Sequence, residues 1–237
     1  ATDGTVTIVA HRAEMGTGVR TSLPMVVADE LEARWDRVKV VQAPADEARF
    51  GNQNVDGSRS VRHFLEPMRR VGAAARQMLE AAAAARWSVP VAEVQAVQHE
   101  VLHRATGRRF GFGELAVDAA KQKVPATGEL RLKDPTQWRY IGKGRVGGVD
   151  MAAIARGQAI FGMDVRLPGM VCAVVARPPV VGGKLRSADK EAALKVPGVL
   201  KVVEIAGFSG AAAFQPLGGL AVVARNTWAA TQGRAAL

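Results

Sequence analysis

The sequence predicts an α+β fold in two domains, and three observations carry that prediction. Short apolar alternating runs such as residues 4–10 mark strands, while apolar residues recur at helical spacing through residues 19–31 and 61–86. A polar segment at residues 121–133, broken by Pro125 and Gly128 and followed by Asp134-Pro135, separates two textures of chain. Beyond Gly142 short strand-like runs alternate with Pro-Gly and Gly-Gly turns. The expected organisation is a first α+β domain over residues 1–134, a linker over 135–142 and a second domain over 143–237.

The elements follow in order. Residues 4–10 form a half-buried strand, and Val19, Leu23, Val26, Val27 and Leu31 then place a helix that ends near Trp35. Pro24 is tolerated only if that helix begins close to it. Residues 38–41 make a second strand. Residues 43–60, rich in Gly, Asn, Asp, Gln and Ser, are longer than most connections in compact domains, and such loops commonly bind something or are disordered. A long helix follows over 61–86, with Met68, Val71, Ala75, Met78, Leu79 and Ala82 on one side. Its alanine run, 81–85, suggests close approach of another backbone. Strands are expected at 94–97 and 100–103, a turn at Thr106-Gly107 and a helix start at 112–116. In the second domain strands are expected at 159–161, 170–176, 199–205 and 220–224, with a helix at 187–195 capped by Ser187 and the middle of a helix at 233–237.

With 237 residues, 48% hydrophobic and 23% charged, the composition is that of an ordinary globular chain. No apolar stretch approaches the roughly 20 residues that cross a bilayer. The first residues, Ala-Thr-Asp-Gly, carry no basic head or apolar core, so any targeting sequence is expected to have been removed or left out, and localisation cannot be read from this chain. Cys172 is the single cysteine, which excludes an internal disulfide and a thiolate cluster, and its apolar surroundings place it in a core. Of the four histidines, only His99 and His103 are close in sequence, and without a nearby third ligand no metal site is assigned. Lys plus Arg number 32 against 22 acids, a net charge of +10 that suits an anionic partner: nucleic acid, a phosphate-bearing cofactor or an acidic subunit. Aromatic residues are few and not interleaved with the basic ones, so a nucleic-acid partner is not expected.

Two glycine-bearing turns stand out. Glu14-Met-Gly-Thr-Gly leaves the first strand and opens a helix, with Gly16 and Gly18 free to take backbone angles other residues resist and Arg20 adding charge. Asp56-Gly-Ser-Arg-Ser opens the long helix in the same manner, with Gly57, Ser58, Arg59 and Ser60 at its start. Two helix N-termini of this kind can cradle one ligand with several phosphate or ring acceptors. On spacing alone, an ordinary tight turn and cap is the commoner reading of each. Neither is a nucleotide fingerprint, for no Gly-x-Gly-x-x-Gly follows the first strand and no Gly-x-x-x-x-Gly-Lys-Ser/Thr occurs.

The stretch from His11 through Leu31, centred on Glu14-Met-Gly-Thr-Gly, resembles the Glu-Met-Gly-Gln-Gly turn of molybdenum-binding subunits in the xanthine dehydrogenase and aldehyde oxidoreductase family. Residues 51–62, with Asp56-Gly-Ser-Arg-Ser, resemble that family's second pterin-contacting loop. Leu167-Pro-Gly-Met, Arg177-Pro-Pro, residues 193–199 and residues 224–230 resemble its a/b hammerhead domain. The order of parts resembles the branch that holds the isoquinoline 1-oxidoreductase β-subunits and includes membrane-linked bacterial aldehyde dehydrogenases.

The resemblance implies a molybdopterin cofactor, often as its cytosine dinucleotide, and oxidation of an aldehyde or N-heteroaromatic compound with oxygen drawn from water. It implies contacts to that cofactor from Met15, Gly16, Thr17 and Gly18 and from Gly57, Ser58, Arg59 and Ser60, chiefly through backbone amides. The implied partners are the remainder of the molybdenum subunit, a small [2Fe-2S] subunit holding the iron-sulfur clusters and, in some complexes, a c-type cytochrome subunit; the implied location is the bacterial periplasm or inner membrane. Thr17 stands where the family often has Gln. Glu14 reads as structural. The family's glutamate base has no counterpart in this chain, so no catalytic residue is assigned, and a fragment inactive alone is expected. A non-catalytic anion-binding or subunit-assembly module is the alternative.

Overall fold

The computed structural model describes all residues from Ala1 to Leu237 and divides into two compact units, Ala1–Ala159 and Ile160–Leu237. The division falls later than the expected linker at 135–142, and buried charge explains why. Asp29 is fully buried and accepts the amides of Arg139, Tyr140 and Ile141 at 2.9–3.1 Å, together with the Lys133 ammonium at 2.8 Å. Burial is the largest single influence on Asp29 and raises its pKa, but these donors outweigh it and hold the carboxyl below its ordinary value. Glu30, also fully buried, binds Arg69 and the Lys133 amide. The polar segment around residue 133 is therefore strapped onto the first unit by one acidic cluster.

In the first unit β1 (Val6–Ala10) and β2 (Val38–Gln42) pair in parallel, joined through the helix α1 (Val19–Leu31). The short α2 (Glu47–Phe50) lies in the long connection to α3 (Arg59–Trp87). Then β3 (Val94–Val97), β4 (Glu100–His103) and β5 (Arg109–Gly111) form an antiparallel sheet, followed by α4 (Phe112–Ala119) and the short α5 (Met151–Ala155). One core joins these parts, built from Ile8 and Val27 with Leu79, Val101, Phe112 and Leu115.

The packing of α1 on α3 fixes both helix starts. A Cβ built on Gly72 would lie 2.6 Å from the Val27 carbonyl oxygen and 2.7 Å from the Glu30 Cβ, so the two backbones meet where a side chain cannot fit. Close approach was expected at the alanine run; it occurs at Gly72-Ala73, and Ala82, Ala83 and Ala84 fill the core beyond it. Val71, expected on the buried side, is 57% exposed, because the buried stripe is set by Gly72, Arg76 and Glu80 facing α1 and the strapped segment. Helix α1 ends at Leu31, short of Trp35, with Glu32 left-handed at φ 64°.

In the second unit β6 (Cys172–Ala176), β7 (Val199–Ile205) and β8 (Gly219–Ala224) form an antiparallel sheet in the order β6-β8-β7, with α6 (Lys190–Lys195) and α7 (Thr227–Ala235). Ala224, Ala229 and Ala230 make its small core with Val174 and Val199. Residues 159–161 are not a strand: a tight turn at Gly162–Asp164 follows, and the Asp164 carboxylate accepts the Phe161 amide at 3.0 Å. The α6 cap is Asp189, whose carboxylate accepts the Ala192 amide at 2.9 Å, so the helix starts later than Ser187 would place it. Cys172 is half-buried at the start of β6. Helix α7 closes at Ala235. No helix is long and apolar enough to cross a membrane.

Candidate functional site

The chain leaves β1 through His11 and Arg12 and turns at Glu14-Met-Gly-Thr-Gly into α1. Gly18 is the helix N-cap at φ 76°, a left-handed conformation that costs glycine nothing, and it carries no side-chain cap of its own. Glu14 supplies one instead. Its carboxylate accepts the amides of Gly16 at 2.6 Å, Gly18 at 3.0 Å and Arg20 at 3.0 Å. Burial pushes the Glu14 pKa up more than any one contact pushes it down, yet the amides of Arg20, Gly18, Gly16 and Thr17 together leave it below its ordinary value. The free amides expected at this turn are thus taken by the protein's own carboxylate. A carboxylate so held is poorly suited to accept a proton and well suited to fix the turn.

The start of α3 is different. Gly57 and Ser58 are both left-handed, at φ 51° and 52°, and Ser58 as N-cap makes no side-chain hydrogen bond to the first turn. A serine held at positive φ stores strain that the surrounding contacts must over-determine. The helix start keeps its positive dipole end without a carboxylate across it. Arg59 does not add free charge here, since its guanidinium makes a two-pronged pair with Asp56 at 2.6 Å, and Arg20 pairs with Asp150.

Arg12 links the strand end before the first turn to the long connection and to the first turn of α3. Its Nε donates to Ser60 Oγ at 3.1 Å, and its Nη1 donates to the Asn52 carbonyl at 2.7 Å and to Asn52 Oδ1 at 2.5 Å. Gln53 ties the long connection to the same strand end, donating to the His11 carbonyl at 3.0 Å and to that of Pro44 at 2.9 Å. Gln42 donates to the carbonyls of Ala10 and Arg12. The Phe64 ring lies under both His11 and Arg12, with ring centroids 4.5 Å apart for His11 and the guanidinium carbon 5.0 Å from the Phe64 centroid. His11 and Arg12 are 7% and 2% exposed, and His11 Nε2 and Arg12 Nη2 have no hydrogen-bond partner. Burial, then the neighbouring Arg12 charge, lowers the His11 pKa, so the imidazole is neutral at pH 7.

Of the residues singled out in the sequence, Met15, Gly16, Thr17, Gly18, Gly57 and Ser58 are exposed around the two turns, Arg59 is half-buried and Ser60 is buried against Arg12. Met15 is 71% exposed. Arg12 was not singled out by sequence reasoning. The available signal was its place, directly after a strand and before the turn motif, where a basic residue must either reach solvent or find buried partners. His99 and His103 do not form a pair: His99 Nε2 contacts the Gly4 carbonyl at 2.7 Å, while His103 sits between Thr106 Oγ1 at 2.7 Å and Glu93 Oε2 at 3.1 Å. A helix start without a side-chain cap, a serine hydroxyl and a buried guanidinium whose Nη2 has no acceptor together fit an anionic group and its polar ring.

Comparison with known proteins agrees with that chemistry. The family described as "Molybdopterin cofactor-binding domain" matches residues 1–149. Over 99% of its length the chain is 34% identical to the beta subunit of isoquinoline 1-oxidoreductase from Brevundimonas diminuta, covering 33% of that protein. It is 31% identical to a membrane-bound aldehyde dehydrogenase [pyrroloquinoline-quinone] of Gluconacetobacter polyoxogenes, over 86% of the chain and 27% of the relative. It is also 31% identical to a nicotinate dehydrogenase subunit of Pseudomonas putida, over 89% of the chain and 18% of the relative. The chain spans a third or less of the length of these curated relatives. With the two glycine turns, the α3 start and the family match all lying in its first unit, this chain belongs to the molybdopterin cofactor-binding family of molybdenum-binding subunits.

Proposed function

We propose that this chain is the cofactor-contacting piece of a larger molybdenum-binding subunit, and that Met15, Gly16, Thr17, Gly18, Gly57, Ser58, Arg59 and Ser60 line one side of the molybdopterin site. The observation that carries the reading is the hydrogen bond from Arg12 to Ser60, which joins the strand leading to the first turn with the first turn of α3. A link of that kind supports a single ligand shared by the two segments. Backbone contacts divide unequally between them. The α1 turn offers shape and the exposed Met15 and Thr17 side chains, because Glu14 holds its amides. The α3 start offers the first-turn N–H groups that follow Arg59, whose own amide donates to the Asp56 carbonyl at 3.0 Å, and the Ser58 and Ser60 hydroxyls.

Bound there, the cofactor would supply oxidation of an aldehyde or N-heteroaromatic substrate with water-derived oxygen, the classes named in the relatives. This chain's own residues bind and orient it. The remainder of the molybdenum subunit would complete the pocket and supply the base, and a [2Fe-2S] subunit, with a c-type cytochrome in some complexes, would take the electrons. The cytosine dinucleotide form of the pterin and a periplasmic or inner-membrane location belong to the same reading. We read the second unit as the a/b hammerhead-like domain, supported by its three-stranded antiparallel sheet with α6 and α7. Molybdenum and pterin analysis of the chain copurified with its neighbours tests the proposal: both should be present in near-equal amounts, and a complex free of both contradicts it. The chain purified alone should show no dye-linked oxidation of aldehydes or N-heterocycles, and sustained turnover would contradict its role as an incomplete piece.

A further inference from the structure

We infer that Arg12 is an anion-binding residue of this site, holding a phosphate-class oxygen of the cofactor against the first turn of α3; the inference rests on the molybdopterin reading above. A guanidinium that is 2% exposed loses most of its hydration, which is costly unless a counter-charge or a full set of acceptors replaces it. The acceptors Arg12 has are neutral: Ser60 Oγ, the Asn52 carbonyl and amide oxygens, and the Phe64 face. Its Nη2 has none. Of the two nearby carboxylates that favour its charge, Asp56 is committed to Arg59 and Glu47 accepts the Gln53 amide, and neither bonds Arg12.

The direction of the unused donor follows from the guanidinium's rigid fork. Nε–H and one Nη2–H lie parallel along one edge of the planar group. Since Nε donates to Ser60, the second residue of α3, the Nη2–H of the same edge runs beside the Ser60 hydroxyl, next to a helix start that Ser58 leaves without a side-chain cap. The Ser60 hydroxyl, accepting from Arg12, keeps its own proton to donate. A phosphate oxygen placed there would take Arg12 Nη2–H, the Ser60 hydroxyl and the first-turn amides beyond that of Arg59, which donates to the Asp56 carbonyl, an arrangement in which dipole and buried charge have the same sign.

Inorganic pyrophosphate titrated into the full 237-residue chain by calorimetry tests the assignment. Wild type should bind saturably and more weakly as salt is raised. Arg12→Lys, which keeps the charge but loses the fork, should bind at least about tenfold more weakly. Arg70→Lys, on the exposed face of α3 and paired with Glu66, should bind as wild type does. Equal binding by wild type and Arg12→Lys overturns the role of Arg12, as does a wild type that binds no pyrophosphate. Should Arg12→Lys fail to fold, the Arg12 side-chain nitrogen resonances of wild type decide: they shift on saturation with pyrophosphate if the inference holds and stay put if it does not. The molybdenum and pterin content of the assembled complex is a separate readout, so failure here leaves the cofactor reading standing and failure there is recognised independently.

Discussion

Glu14 shows how a residue in a binding motif can act wholly within the protein. By accepting three amides it closes the turn onto α1, which leaves Met15 and Thr17 outside and fixes where they stand. Replacing it with Gln keeps the size and loses the charge across the helix start, so Glu14→Gln should cost about 1 kcal/mol in urea unfolding at pH 7. Because the folded-state pKa lies below the ordinary value, the carboxylate's contribution is fully present above that value and fades as the pH falls through the lower one. The gap between wild type and Glu14→Gln should therefore close below pH 4.5, and a gap independent of pH would show that the charge contributes nothing. The sequence made the glycines and Glu14 legible, since turn chemistry is local. It did not reveal that the turn's amides were already used or that Arg59 was paired, because local spacing does not say which of several nearby partners a side chain takes, nor that Arg12 was buried without a carboxylate, because its partners lie some forty to fifty residues away.

At the scale of elements, α1 and α3 position the site and the acidic end of α1 positions the strap. Gly72→Ala puts a methyl group against the Val27 carbonyl, and α1 must move to admit it. Overpacking of this kind should destabilise the chain by about 1–3 kcal/mol in chemical denaturation, and a neutral effect would mean that the helices are not in close contact. Asp29→Asn removes the charge beneath Lys133 and weakens three amide contacts, so a loss of about 3 kcal/mol is expected. Hydrogen exchange of the amides at 139–141 should accelerate in that variant, whereas unchanged protection would show that the strap is held by other contacts. Helical spacing and alternation located β1, β2, α1, α3, β3, β4, β7 and β8 to within a few residues, because each buries a periodic face. The three-residue β5 and the short α5 carry too little pattern to be seen. The strap read as a linker because its polar composition is the same whether water or a buried acidic cluster satisfies it.

At the scale of the molecule, the resemblance was carried by motifs in both units, and the family match confirms it over residues 1–149. The excess of positive charge reads consistently at this scale: most of it is paired or solvated, while one buried guanidinium beside an open helix start has no carboxylate partner. The central claim is that a single molybdopterin lies across the turn at 15–18 and the start of α3. A diffraction data set collected at the molybdenum absorption edge from crystals of the assembled complex tests it most directly. The account predicts one molybdenum peak whose attached pterin density reaches the 15–18 turn and the 57–60 helix start together, with an anionic end beside Arg12. Pterin density that touches neither turn, in a complex whose first unit keeps this fold, would contradict it.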